Sequence, residues 1–134
     1  MNTGKEKEAL QLSSATKPTM NITESDLEWF DLGCLKDIDI KNVAVSGVGI
    51  IELVVDDEPL YIIRAIELNN GGIKKKLSDL QNYNAKNISR MYTKIGDNID
   101  KIKVRVACLG NDADSVANTR KMEKELLLKY HLIN

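Results

Sequence analysis

From Gly47 onward the chain alternates between apolar runs and polar breaks, and the period of each run predicts an element. The runs GVGIIELVV and LYIIRAIE are rich in β-branched residues and flank the polar stretch Asp56-Asp57-Glu58-Pro59, the pattern of a β-hairpin. Glu52 alone interrupts Ile50, Ile51, Leu53, Val54 and Val55, and such nearly continuous apolar text suits a strand covered on both faces and central in its sheet. After the turn residues Asn69 to Gly72, the spacing of Ile73, Leu77 and Leu80 predicts a short amphipathic helix. Residues 82–98 are polar and rich in asparagine, with Ile88, Met91 and Tyr92 marking a second, weaker helix. Lys101 to Cys108 alternates as a third strand, with Ile102, Val104, Val106 and Cys108 on one face and Lys103 and Arg105 on the other. Gly110-Asn111-Asp112 supplies a turn and cap for a long helix from about Asp114 to Tyr130, with Val116, Leu127 and Tyr130 as its apolar stripe.

Upstream of this block the text is different. Residues 1–22 are polar and without a sustained period, which predicts a flexible N-terminal arm. Ser25 and Glu28 have capping-box spacing for a short helical turn. Leu27, Trp29, Phe30, Leu32 and Leu35 supply bulk, and the two large aromatics are read as a lid over the core. The order strand, strand, helix, helix, strand, helix predicts a small α/β (α+β) fold. Its sheet is three-stranded, mainly antiparallel and flanked by helices, in one domain spanning 23–134.

Composition narrows the function classes. The chain has 134 residues, 43% of them hydrophobic, enough for one core and short for two. With 19 basic and 20 acidic residues its formal net charge is −1, so any contact with nucleic acid must use a local patch. Cys34 and Cys108 are too few and too far apart for a disulfide framework or a zinc site, and are read as buried free thiols. No run approaches the roughly 18 apolar residues of a membrane span, and Met1 to Lys17 lack the apolar stretch of a secretory signal. A cytoplasmic protein without a membrane partner is the expectation.

The segment from Gly49 to Asn134 resembles the GIY-YIG nuclease superfamily. Gly49-Ile50-Ile51 stands at the GIY position, with Ile51 in place of the tyrosine, and Tyr61-Ile62-Ile63 stands at the YIG position, with Ile63 in place of the glycine. Arg64-Ala65 looks like the pair that follows, and the Ile73-Lys74-Lys75-Lys76-Leu77 helix puts Lys76 where the family has arginine, after a longer Asn69 to Gly72 loop. Met122 to Tyr130 resembles the closing glutamate helix, with Glu123 at the acid and Asn134 at the later asparagine.

The resemblance implies a metal-dependent DNA endonuclease, a phosphodiester hydrolase in which Glu123 holds Mg²⁺, Tyr61 handles the attacking water, Lys76 holds phosphate and Arg64 assists. Hydrolysis of a phosphodiester needs a water, a group to take its proton and positive charge beside the phosphoryl oxygens, and these residue types supply each. At about 100° per residue Glu123 lies close to the Val116 and Leu127 directions, facing inward. An ion-paired glutamate at the core margin is the alternative reading of the same position. Lys76 lies beside the apolar stripe of its helix but lacks the two-pronged hydrogen bonding of arginine. Tyr61 and Arg64, three apart, face opposite sides of a regular strand, and Ile63 favours continued strand where glycine would allow a bend. Tyr61 and Ile51 are therefore also read as core residues, and His131, the single histidine, as an end-of-helix cation. Three departures, Ile51, Ile63 and Lys76, imply impaired or lost cleavage. The alternative is a non-catalytic module on the same scaffold that binds nucleic acid or a protein.

Overall fold

The computed structural model describes residues 22–85 and 89–132. The arm expected over 1–22 therefore lies outside the described residues save for Ile22, as do Ile88 and Asn134. Four strands, β1 (Trp29–Cys34), β2 (Val48–Val55), β3 (Glu58–Ala65) and β4 (Lys103–Gly110), form one sheet in the order β1-β4-β2-β3. Every neighbouring pair is antiparallel.

The sheet thus has four strands where the pattern predicts three. Trp29–Cys34 is not a lid on the core but an edge strand paired to β4, running from Trp29 opposite Ala107 to Cys34 opposite Lys103. Its register slips between Asp31 and Gly33, and Gly33 adopts a left-handed φ of 80°, a bulge that hides the strand from a period-two reading. The first helical turn is the 3₁₀ segment Glu24–Asp26, boxed by Thr23 and Asp26 rather than by Ser25 and Glu28.

The hairpin forms where its composition predicts. Val55 pairs with Glu58, and Asp56 and Asp57 make the two-residue turn with φ of 54° and 66°. Both positive angles give the twist that suits an antiparallel pair. Pro59 sits on β3, an edge strand, next to the register slip opposite Leu53 and Val54, where its missing N–H breaks no central ladder. β2 is central, between β3 and β4, as its apolar text implies.

Alternation divides the side chains between two layers. Ile51, Leu53, Tyr61, Ile63, Val104 and Val106 point to the larger core, covered by α1 (Gly72–Gln81), α2 (Arg90–Asp97) and the 35–45 segment. Gln81 Nε2 ties α1 to that segment by donating to the carbonyls of Leu35 at 2.9 Å and Ile38 at 2.8 Å. The other face carries Ile50 and Ile62 under α3 (Ala113–Tyr130), where Met122 and Leu126 close a smaller core. The buried positions of α3 are Ser115, Asn118, Thr119, Met122 and Leu126, offset by one residue from the expected Val116, Leu127 and Tyr130 stripe, a rotation of about 100°. Polar residues make up the first half of this buried face, and Thr119 Oγ1 is satisfied by the carbonyl of Ser115 at 2.8 Å. The two cysteines are free and half-buried rather than fully buried. Among the described residues no helix is long and apolar enough to cross a membrane.

Candidate functional site

Near the C-terminal end of β3 the two layers meet at the open edge of the sheet. Strand β3 continues through Ile63 to Ala65, as a β-branched residue in place of glycine favours, so Tyr61 and Arg64 do project from opposite faces. Tyr61 is buried in the larger core with Leu77 and Leu80 of α1. Arg64 points the other way, towards α3.

Arg64 meets Glu123 there. Its Nη1 donates to Glu123 Oε1 at 3.2 Å, across 59 residues of sequence. The glutamate side chain is 17% exposed and the arginine 46%, because Glu123 follows Met122 and lies on the flank of the buried face of α3. Both groups keep access to water, and an ion pair of this exposure contributes roughly 0–1 kcal/mol to stability. The site is therefore not held shut by a deep electrostatic lock.

The two residues border a cavity of about 450 Å³, with Ile63, Ile66, Glu67, Met91 and Lys76 completing its lining. Lys76 comes from α1, where Lys75 is occupied by Asp79 one turn on at 2.9 Å. That bond raises the Lys75 ammonium above its ordinary value. Of the Lys74-Lys75-Lys76 run, Lys76 is the lysine that lines the cavity. Of the expected site residues, then, Arg64, Lys76 and Glu123 come together from three elements, and Tyr61 does not join them. Glu67 was not singled out from the sequence and Met91 was read only as a marker of the second helix; no local pattern ties either to the site, since each reaches the cavity through tertiary folding. Arg120 had a readable signal: it precedes Glu123 by three residues on the same helix, is exposed, and adds positive charge one turn away.

Chemically the cavity offers cationic donors for an anionic oxygen and two carboxylates, Glu67 and Glu123. Among the described residues no group of three or more His, Cys, Asp or Glu side chains is arranged to enclose a metal ion. Mg²⁺ does not demand one, since it keeps several waters and is commonly held through one or two carboxylates and substrate phosphates. The donor set fits that loose mode, with Glu123 as the carboxylate that would hold the ion. His131 caps the C-terminus of α3 with φ of 57°, as an end-of-helix residue.

Compared with known protein families, with curated proteins and with solved structures, the chain finds no match.

Proposed function

We propose that this chain is a divergent GIY-YIG-like domain that contacts DNA phosphate through the cavity at the β3 edge, with metal-dependent cleavage impaired or lost. One observation carries the reading: Arg64, Lys76 and Glu123, widely separated in sequence, line one cavity open to solvent. Core packing alone does not require two cations and an acid to converge there. Arg64 and Lys76 bind and orient a phosphodiester, and exposed Arg120, one turn before Glu123 on α3, adds positive charge. Glu123 would hold Mg²⁺, which when bound supplies positive charge to the phosphoryl oxygens.

The impairment follows from what surrounds that cavity. Tyr61 is packed in the larger core, so its hydroxyl does not share the pocket with the acid, and Ile51 has no hydroxyl at all. Glu123 is engaged by Arg64, which lowers its readiness to hold a cation. Lysine at position 76 binds phosphate as a point charge without the fork of arginine.

Supercoiled plasmid incubated with the purified protein and Mg²⁺ or Mn²⁺, beside Glu123→Ala, tests the chemistry. Slow nicking that Glu123→Ala abolishes supports a residual nuclease, and no nicking by either supports a binding module. Equal nicking by both proteins would remove the metal role of Glu123.

A further inference from the structure

The α3 face of the sheet holds a second cavity, near the C-terminal end of that helix and lined by none of the residues of the first. Strand β4 presents Lys103 and Arg105 there, two residues apart and so on one side of the strand. Register places Glu52 of β2 and Asp31 of β1 opposite Arg105 on its two sides. Glu52 is only 2% exposed, and it accepts a hydrogen bond from Arg105 Nε. The guanidinium carbon also lies 4.2 Å from the centroid of the Trp29 ring. Held at Nε by a buried carboxylate and on one face by an indole, this guanidinium is fixed in orientation. No other hydrogen bond to it is present among the described residues.

Arg105 borders a cavity of about 300 Å³, which Lys103, Tyr130, Asp31, Asp57, Val54 and Pro59 help to line. Asp57 carries a further signal. A hairpin turn with both φ positive is most easily made by Asn-Gly, yet Asp57 keeps a side chain at φ 66°. The local preference is set aside at a residue that lines the cavity.

We propose that this cavity binds a small zwitterion of the α-amino acid class. Its carboxylate is taken by the fork of Arg105 with Lys103, its ammonium by Asp57 and Asp31, and Val54 and Pro59 border its side chain. Charge selects this class over simpler ions. A phosphate dianion would bring two negative charges against Asp31, Glu52 and Asp57, and a plain amine would meet Lys103 and Arg105. A ligand carrying both signs satisfies both walls, and a planar carboxylate matches the two parallel N–H groups of a guanidinium.

The test is an NMR titration of the ¹⁵N-labelled full chain with glycine and with L-leucine, following the Arg105 Nε–H and the Trp29 indole N–H. Saturable shifts at both signals are expected, weakened roughly tenfold or more for leucinamide, which lacks the carboxylate, and for N-acetyl-leucine, which lacks the ammonium. Absence of saturation with both zwitterions, or equal binding of the two blocked analogues, would overturn the assignment. Arg105→Lys, which keeps the charge and loses the fork, is expected to weaken L-leucine at least as much. Asp57→Gly separates binding from folding: glycine relieves the positive φ, so the melting temperature is kept or raised while the affinity falls. An Asp57→Gly protein that binds L-leucine like the wild type would also overturn the proposal.

Discussion

Asp112 shows how much one side chain can fix. It caps α3, its Oδ1 accepting the Ser115 backbone N–H at 2.8 Å and the Ser115 hydroxyl at 2.7 Å. The hydroxyl bond first, and the backbone bond second, hold its carboxyl below the ordinary value of 3.8. Because the folded state lowers this pKa, the associated stability is fully present above the ordinary carboxylate range and is lost as pH falls through the lowered value. Asp112→Ala should therefore cost about 1 kcal/mol at neutral pH, and the cost should shrink in acid. Asp112→Asn, which caps without titrating, should keep most of the stability at both pH values. Urea melts at neutral and acid pH check both. Position 112 was readable as a cap because Gly110-Asn111-Asp112 precedes a helical pattern. At the site, Lys76 was readable from helical direction and the Tyr61 and Arg64 conflict from strand alternation, whereas the inward direction expected for Glu123 rested on the Val116 and Leu127 stripe, and the residue lies on the flank of the buried face instead. An ion-paired Glu123 was the alternative reading of that position and the structure shows such a pair, but Arg64 as its partner was not legible, since no local rule links residues 59 apart.

Elements were legible where one period ran unbroken. The hairpin, α1, β4 and α3 announce themselves through runs of Ile, Val and Leu at spacing two or helical spacing, and each forms within a few residues of its expected span. Strand β1 does not, because Trp29-Phe30-Asp31-Leu32-Gly33-Cys34 breaks alternation at the Gly33 bulge and leaves Phe30 42% exposed. The buried face of α3 was misplaced by one residue because Ser115, Asn118 and Thr119 are polar yet buried, and an apolar count passes over them. Gly49 belongs to this scale. It sits at the β2–β4 register slip, where a β-carbon would run into the Ala107 carbonyl oxygen of the neighbouring strand. Backbone cannot yield as a flexible side chain does, so Gly49→Ala should destabilise the sheet by about 2 kcal/mol or more. Chemical denaturation measures it, and an unchanged midpoint would mean that β2 and β4 are not so closely apposed.

At the scale of the whole molecule, a nearly neutral chain places its chemistry by topology rather than by bulk charge. The strand order β1-β4-β2-β3 leaves β3 at an edge, and this lets α1 below the sheet and α3 above it reach around to a common cavity. The strand count had to be corrected from three to four, but the added strand joins the far edge and leaves the hairpin, its helices and the cavity where they are. A local patch of cations on such a molecule has one clear physical signature: it binds a polyanion in proportion to the counterions released. Fluorescence anisotropy of a labelled DNA duplex over a salt series reads this directly. The wild type should bind with an affinity that falls as salt rises, and Arg64→Ala and Lys76→Ala should each weaken it and reduce the log–log slope by about 1. Glu123→Gln, which removes the negative charge beside Arg64, should tighten it. Salt-independent binding, or Arg64→Ala and Lys76→Ala proteins that bind like the wild type, would contradict a DNA contact at the β3 edge.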